Sequence, residues 1–186
     1  IHTRKSTINN LEELLIQSVN EQMISDVPIG AFLSGGIDSS LITAIMQSLS
    51  DKPINTFSIG FVNKDYDESL YSNRIAKYLR TNHHEKIIGP KDCLDIIPKL
   101  SQIYDEPFGD SSSMPTYLLS KLAKESVTVS LSGDGADELF GGYERYYRGM
   151  AYWRILSAIP IQIRKYIRYL LLSLPAKSID KINNRL

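Results

Sequence analysis

A short segment rich in serine and glycine, residues 34–40, separates an apolar run from an amphipathic one. The run before it, residues 29–33, has the composition of a buried strand, and residues 41–49 show the apolar spacing of a helix. A strand, a tight glycine turn and a helix start together form an anion site. Free backbone N–H groups and the positive end of the helix dipole face the ligand there. The segment therefore predicts phosphate binding at a strand-to-helix turn.

Asp38 lies within this turn, where a carboxylate beside a phosphate is repulsive unless a divalent cation separates the two. We therefore expect Mg²⁺ next to the phosphate. The turn is not a Walker A loop, because the chain has no Gly-Lys pair, and it lacks the G-x-G-x-x-G spacing of dinucleotide-binding turns. Its S-G-G-x-D-S pattern instead resembles the PP-loop of the ATP pyrophosphatases, which hold the pyrophosphate portion of ATP and cleave at the α-phosphorus.

Apolar runs alternate with amphipathic stretches up to residue 142, which predicts an α/β fold with a parallel sheet covered on both faces. Ligands of such sheets bind beyond the carboxyl ends of the strands, where the glycine turn lies. The predicted strands are 29–33, 54–61, 85–88 and 127–131. The predicted helices are 8–24 (capped by Asn9 or Asn10), 41–49, 66–80 (with Asp67 and Glu68 in its first turn), 91–103 and 115–124. From residue 143 onward the pattern is helical throughout.

A second strand-to-helix turn, residues 131–143, follows the last predicted strand and has the sequence L-S-G-D-G-A-D-E-L-F-G-G-Y. Its carboxylates Asp134, Asp137 and Glu138 repel one another unless cations or hydrogen-bond donors separate them. Asp137 could share one Mg²⁺ with Asp38, each turn supplying a ligand. Alternatively, Asp134 and Asp137 cap the start of a helix.

A polar segment with two prolines, residues 104–116, joins two predicted helices near the same edge of the sheet. Its position would allow it to contact a substrate. Its composition fits a simple connection equally well. The residues alone leave both interpretations open.

Three segments together resemble the synthetase domain of the glutamine-hydrolysing asparagine synthetases. They are residues 34–40, residues 105–112 with Pro115-Thr116-Tyr117, and residues 131–143, the last being the most specific. The resemblance implies a three-layer, parallel-sheet fold of the PP-loop (adenine nucleotide alpha hydrolase-like) type. In that family the domain binds ATP and Mg²⁺ and adenylates the side-chain carboxylate of aspartate, releasing pyrophosphate. Ammonia derived from glutamine then displaces AMP to give asparagine.

The resemblance also implies roles for single residues. Asp38 and Asp137 hold Mg²⁺, and Asp134 bears on the amine step, so that Asp134 and Asp137 are the expected catalytic residues. Phe32 and Ile59, at the ends of two strands, frame the adenine and the ribose. The remaining expected contacts are those of Ser34, Gly35, Gly36, Ser39 and Ser40 with the pyrophosphate, and those of Ser132 and Gly133 with the nucleotide.

Two domains follow from this resemblance, an ATP pyrophosphatase core at residues 1–142 and a helical extension at residues 143–186. Nothing in the chain resembles the N-terminal glutaminase domain of these synthetases, and a lysine that they use would lie beyond residue 186. The chain also begins at Ile1 without Met. We therefore expect a piece of a longer protein that binds ATP·Mg²⁺ weakly and turns over little, with the glutaminase domain as its partner.

Two other functions fit the residues. A related amidotransferase would act on another carboxylate, as in polysaccharide or secondary-product synthesis. A PP-loop tRNA-modifying or nucleotide-binding module would use the basic C-terminal region, where Glu144 and Asp180 are the only acids after residue 142. A solvated helical face explains the same charge, so we do not expect a nucleic-acid partner.

Composition bounds the setting of the protein. Its hydrophobic content of 42% and charged content of 23% are typical of soluble globular proteins. Residues 155–174 are too charged to span a bilayer, no signal peptide is evident, and the single Cys93 fits a small buried residue, so we expect a cytoplasmic protein without membrane contact. His83 and His84 would point to opposite faces of a strand and so would not chelate one metal ion together. Exposed leucines predict self-association, for instance as a homodimer, through Leu170, Leu171, Leu172 and Leu174.

Overall fold

A parallel β-sheet lies at the centre of the computed structural model, which describes residues 3–106 and 109–172. Within these residues the sheet has the strands β1 (Ile29–Phe32), β2 (Asn55–Phe61), β3 (Asn82–Ile88) and β4 (Val129–Leu131). Their order is β3-β2-β1-β4, and every neighbouring pair is parallel. The predicted α/β class with a parallel sheet is confirmed.

Helices connect the strands and continue the chain after the sheet. In chain order they are α1 (Arg4–Gln22), α2 (Ile37–Ser48), α3 (Ser69–Leu79), α4 (Pro90–Leu94), α5 (Leu100–Ile103), α6 (Ser113–Ala123), α7 (Ala136–Phe140), α8 (Glu144–Ser157) and α9 (Ile161–Leu172). A 3-10 turn, Ile97–Lys99, joins α4 to α5.

The two faces of the sheet bury separate clusters, which gives the three layers expected of this fold. Phe32 lies opposite Phe57 in the pairing of β1 with β2, and Ala31 lies opposite Thr56, so these pairs face opposite sides. Ala31 packs with residues of α1 and α2, among them the fully buried Met46. On the other side Phe57 packs against α6 and the chain after it. Burial of these apolar surfaces is the main force that holds the layers together.

Some boundaries differ from the sequence prediction. Helix α1 is capped by Thr3, whose side chain accepts from the Ser6 N–H, so the predicted cap at Asn9 or Asn10 is wrong. The helix predicted at 91–103 breaks into α4, the 3-10 turn and α5, because Pro98 offers no N–H and its ring disfavours an α-helical interior. Strand β3 begins at Asn82 and is longer than predicted.

Helix α3 also begins later than the spacing predicts. It starts at Ser69, after a cap position at Glu68, so neither predicted acid lies in its first turn. Asp67 instead accepts hydrogen bonds from the backbone N–H groups of Ser69 and Phe61, each at 3.2 Å. These bonds join the end of β2 to the start of α3.

The chain forms two compact units, Ile1–Asp134 and Gly135–Leu186. The first contains the sheet with α1 to α6, and the described residues of the second contain α7, α8 and α9. The domain boundary expected after residue 142 stays a prediction. The side chains of Leu170, Leu171, Leu172 and Leu174, on which the self-association prediction rests, lie outside the described part. Among the described residues, no helix combines the length and the apolar character that a membrane span requires.

Candidate phosphate-binding site

Strand β1 delivers the serine–glycine turn to the carboxyl edge of the sheet. Leu33 is almost fully buried, and its N–H continues the strand pairing by donating to the Phe57 carbonyl at 2.9 Å. The chain then leaves the sheet and enters α2 after Gly36, the cap residue, which offers no side chain to the helix. The first N–H groups of an α-helix have no partner within it. The start of α2 is therefore open to an anion.

Serine hydroxyls hold the turn in shape. The Ser34 and Ser39 hydroxyl oxygens lie 2.9 Å apart, and Ser39 Oγ also accepts from the Ser34 N–H at 3.3 Å. The Gly36 N–H donates to Ser34 Oγ at 3.2 Å, and the Ser40 hydroxyl donates to the Gly36 carbonyl. These hydroxyls therefore bond within the turn itself, and a ligand would have to compete for them.

Gly35 allows the turn to lie against α3. Its φ of 90° is in the left-handed region, where a side chain is strained. A Cβ at this position would come within 2.7 Å of the Tyr71 Cβ and 2.8 Å of the Ser72 backbone nitrogen. Tyr71 and Ser72 therefore form a wall of the turn. Sequence reasoning did not find them, because they belong to a helix far along the chain and match no motif.

The second turn meets the first at Gly133. A Cβ there would lie 2.7 Å from the Ser39 nitrogen and 3.0 Å from the Asp38 Cβ, so the chain after β4 touches the start of α2. The Ser132 hydroxyl donates to Asp134 Oδ2 at 3.0 Å. Within the first unit, the structure thus brings Ser132 and Gly133 to the turn that contains Asp38. Helix α7 is capped by Gly135 without a side-chain bond, so the alternative of acidic capping by Asp134 or Asp137 is wrong.

A cavity of about 510 Å³ opens beside Phe32 on the α6 face of the sheet. Phe32 and Ile59 share this face, since Phe32 pairs with Phe57 and Ile59 follows two residues later. Ile59 packs instead with the core around Ile88 and is not part of the cavity lining among the described residues. No sequence motif pointed to the polar residues of this cavity, which is lined by Phe32, Ser120, Ala123, Lys124, Val127, Thr128 and Ser130.

The second unit contains the other two carboxylates of the turn at residues 131–143, those of Asp137 and Glu138. Asp137 lies in the first turn of α7, and its carbonyl accepts from the Gly142 N–H at 2.9 Å. The Tyr143 hydroxyl donates to Glu138 Oε1 at 2.6 Å, and this bond lowers the pKa of Glu138 and raises that of Tyr143. The Arg145 guanidinium lies 4.2 Å from the centre of the Tyr143 ring. Glu138 therefore has a local partner of its own.

The other candidates have local explanations. Asp110 accepts from the Ser112 N–H at 2.8 Å, which lowers the pKa of Asp110 and closes a turn before α6. Residues 107–108 of that polar segment lie outside the described part. Cys93 packs half-buried against the core around Ile88. His83 and His84 bond to different partners on opposite faces, as expected. No cluster of three or more acids, histidines or cysteines suited to a metal occurs within residues 3–106 and 109–172.

Comparison with known proteins finds the family that the motifs at the two glycine turns resemble. The model of the asparagine synthase family matches residues 10–184, nearly the whole chain. The chain belongs to the asparagine synthase family. That match extends well beyond residue 143, where the last of the motifs ends.

Relatives in this family come from different organisms. A Methanocaldococcus jannaschii protein with the provisional name glutamine-hydrolysing asparagine synthetase 2 is 47% identical over 150 residues, which are 80% of this chain and 29% of that protein. Asparagine synthetase 1 of Bacillus subtilis, also named as glutamine-hydrolysing, is 36% identical over 168 residues, 90% of this chain and 26% of that protein. The chain therefore spans less than a third of the length of these relatives.

Among solved structures, an NH3-dependent NAD synthetase from Campylobacter jejuni aligns with 95% of this chain and 92% of its own. The sequence identity is 16% and the TM-score is 0.49. A likeness at this level is too weak to support an inference about this chain.

Proposed function

We propose that this chain is the ATP-binding part of an asparagine synthetase, an AMP-forming carbon–nitrogen ligase. The reaction would activate the side-chain carboxylate of aspartate by adenylation, with release of pyrophosphate, and ammonia derived from glutamine would then displace AMP. Membership of the asparagine synthase family supports this proposal. So does the serine–glycine turn at the start of α2, whose glycine cap and close backbone approach suit an anion.

The residues present fit a triphosphate. The start of α2 offers unpaired N–H groups and the positive end of the helix dipole. Both Gly35 and Gly133 occupy places where a Cβ would collide with backbone, so the chain approaches as closely as a cradle requires. In the proposal, Ser34, Ser39 and Ser40 bind the pyrophosphate together with the backbone of Gly35 and Gly36.

Asp38 and Asp137 are the proposed Mg²⁺ ligands. When bound, Mg²⁺ would neutralise the charge that develops on the departing pyrophosphate. Asp38 lies at the first turn of α2, half-buried and beside Gly133. Its carboxylate is thus next to the proposed pyrophosphate site, where it needs a cation to be tolerated. Asp137 would supply the second carboxylate to Mg²⁺, and we propose it as a catalytic residue for this reason.

The nucleoside would bind beside the phosphate turn. Phe32 and Ile59 are proposed to frame the adenine and the ribose, and the cavity next to Phe32 has room for an aromatic base. Ser132 and Gly133 would contact the nucleotide from the chain after β4. Asp134, which holds the Ser132 hydroxyl, would act in the amine step.

The partners of this site follow from the family. In the longer protein we infer that a glutaminase domain supplies ammonia, and that the reaction takes place in the cytoplasm. The shared chemistry also allows another carboxylate as substrate. ATP–pyrophosphate exchange by the full-length protein, measured with aspartate and with other carboxylates, decides between the two: exchange that depends on aspartate supports the proposal, and exchange only with another acid contradicts it.

Binding of Mg·ATP to the 186-residue chain tests the site itself. We expect calorimetric titration to detect binding, and we expect Asp38→Asn to weaken it at least tenfold, which is about 1.4 kcal/mol. Asp51→Asn removes an exposed carboxylate after α2 and is the matched control, with unchanged affinity. Equal affinity of the wild-type chain and Asp38→Asn would remove Asp38 from the site, and no binding of Mg·ATP at all would contradict the proposed function.

A further inference from the structure

A chain of polar side chains crosses the interior between the sheet and α3. At its outer end the Thr81 and Thr56 hydroxyl oxygens lie 2.8 Å apart. Thr56 Oγ1 is 2.9 Å from His83 Nδ1, and the other ring nitrogen, Nε2, is 3.1 Å from Ser58 Oγ. The imidazole thus joins two hydroxyls of β2 that point to the same face of the sheet. Thr56 is fully buried and Ser58 nearly so.

The chain continues into α3. Ser72 is 1% exposed; its hydroxyl donates to the Ser69 carbonyl at 3.0 Å, and its oxygen lies 3.4 Å from Ser58 Oγ. Buried hydroxyls left without partners cost free energy, so each member depends on its neighbours. Since His83 is the group that contacts both Thr56 and Ser58, its loss would leave two buried hydroxyls incompletely bonded.

Ser72 is also part of the wall against which Gly35 packs. The missing Cβ of Gly35 would come within 2.8 Å of the Ser72 backbone nitrogen. A shift of the first turns of α3 toward or away from the sheet therefore moves the surface that supports the serine–glycine turn, residues 34–40, which is called the phosphate turn below. The polar chain ends beside the proposed pyrophosphate site, although His83 itself lies on β3 at the edge of the described sheet.

The imidazole suits this role in its neutral form. Burial, and to a smaller degree the neighbouring His84, lower the pKa of His83. A neutral ring donates at one nitrogen and accepts at the other, so it can join two hydroxyls that are themselves donors and acceptors. The hydroxyls that contact the ring are those of Thr56 and Ser58 on β2, and the Ser72 hydroxyl of α3 lies beyond Ser58. The nearby acid, Glu85 on β3, already accepts from the Asn73 side chain at 2.7 Å.

We propose that His83 is a positioning residue for the phosphate turn, acting through Ser58 and Ser72 on the α3 surface that supports Gly35. The effect of His83 on ATP binding rests on the proposed function, whereas its effect on the turn does not. His83 touches no substrate in this proposal; it fixes the place of the backbone that would.

A second link between α3 and β3 provides the matched control. Asn73 stands next to Ser72 on α3, and its amide bonds to Glu85 on the exposed side of the interface. Asn73→Ala therefore loosens the attachment of α3 to β3 and keeps every side chain of the buried chain. It also removes the bond of the Asn73 amide to the Ser69 carbonyl at 2.9 Å, but that carbonyl still accepts from the Ser72 hydroxyl. If any loosening of α3 disturbed the phosphate turn, Asn73→Ala would act like a His83 variant.

Hydrogen exchange at residues 34–40 in the nucleotide-free chain tests the positioning. We expect His83→Ala and Ser72→Ala to raise exchange at these amides, and Asn73→Ala to leave it at the wild-type rate. His83→Gln keeps a neutral side chain with a donor and an acceptor and should restore much of the protection. Ser72→Ala removes a single oxygen, so it gives an answer even if His83→Ala fails to fold.

Titration with Mg·ATP gives the second measurement. It is made on those variants that hydrogen exchange and cooperative unfolding show to be folded. We expect His83→Ala to weaken binding roughly fivefold and Asn73→Ala to leave it unchanged. Unaltered exchange at the turn in both His83→Ala and Ser72→Ala overturns the positioning role, and so does an equal effect of Asn73→Ala. A wild-type chain that does not bind Mg·ATP overturns the proposed function instead, while the exchange data still decide the role of His83.

Discussion

The two units of this chain differ in how they use their large side chains. In the first unit, the described residues enclose Phe57, Leu33, Met46 and Ile88 almost completely between the sheet and its helices. In the second, neither α7 nor α8 has a buried residue, and Trp153 of α8 is 63% exposed. A rigid turn requires a support that packing fixes. The first unit carries such a support for the serine–glycine turn within itself, whereas α7 and α8 of the second unit have no buried residue that could serve in this way.

The largest expected effect comes from removing an aromatic ring in each unit. Phe57→Ala should cost about 3–5 kcal/mol of unfolding free energy, because it empties the core between β2 and α6. Trp153→Ala should change it by no more than about 0.5 kcal/mol, as at other exposed positions. Urea denaturation followed by far-UV circular dichroism measures both. A loss at Trp153 as large as that at Phe57 would contradict the contrast, since it would mean that this ring is buried in solution.

A glycine in each unit gives the next comparison, with opposite signs. Gly133→Ala places a Cβ against the backbone of α2, so we expect lower stability and at least about tenfold weaker binding of Mg·ATP. Gly149→Ala lies inside α8 with nothing within 4 Å of the new Cβ, and should stabilise the helix by about 0.5–1 kcal/mol without changing affinity. The same denaturation and titration experiments apply. A Gly133→Ala protein that binds Mg·ATP like the wild-type chain would show that the two turns do not need this close approach.

An acid at a helix start gives the smallest effects. Asp67 accepts three hydrogen bonds from Phe61 and Ser69, so Asp67→Ala should lower the melting temperature measurably. Glu144 begins α8 and pairs with Arg148 at 2.9 Å, both largely exposed, so Glu144→Ala should cost only about 0.3–0.5 kcal/mol, and less in high salt. Melting curves of the two variants give the comparison; an equal or larger loss at Glu144 would contradict it.

The pH dependence of stability tests the hydrogen-bonded role of Asp67. The Ser69 hydroxyl, then the Ser69 and Phe61 N–H groups, lower the pKa of Asp67 below its ordinary value of 3.8. At pH values between the lowered pKa of the folded state and the ordinary value of 3.8, the unfolded chain therefore binds more protons than the folded chain. The contribution of Asp67 is complete above pH 3.8 and is lost as the pH falls through the lower, folded-state value. Asp67→Ala should reduce this acid sensitivity in melting curves, and an unchanged acid profile would count against the hydrogen-bonded role of Asp67.

Much of the first unit could be predicted from the sequence, because local patterns determined it. Alternating apolar runs predicted the parallel strands, and the serine–glycine segment predicted the turn that joins β1 to α2. The anion site at that turn stays a prediction. The prediction that His83 and His84 point apart followed from the two-residue period of a strand. Local sequence patterns predicted helix boundaries less well where several residues could serve as the N-cap. Asn9 and Asn10 are good capping residues, but the Thr3 side chain caps α1.

The remainder could not be predicted because it depends on residues far apart in the chain. Nothing near Gly35 in the sequence points to Ser72, and nothing near His83 points to Thr56 and Ser58. These groups meet only when β2, β3 and α3 pack together. The place of Lys124 and Ser130 in the cavity beside Phe32 likewise follows from the way α6 lies over the sheet.

The class of fold, the family and the two glycine turns could thus be predicted from the residues, since each depends on residue types at short, fixed spacing. What supports those turns became known only from the packing of distant segments: the contact of Gly133 with α2, the wall formed by Tyr71 and Ser72, and the buried chain through His83. The physical reason is that support requires close packing and complete hydrogen bonding among distant segments. Both depend on which distant residues come together in the folded chain, and short sequence patterns do not show this.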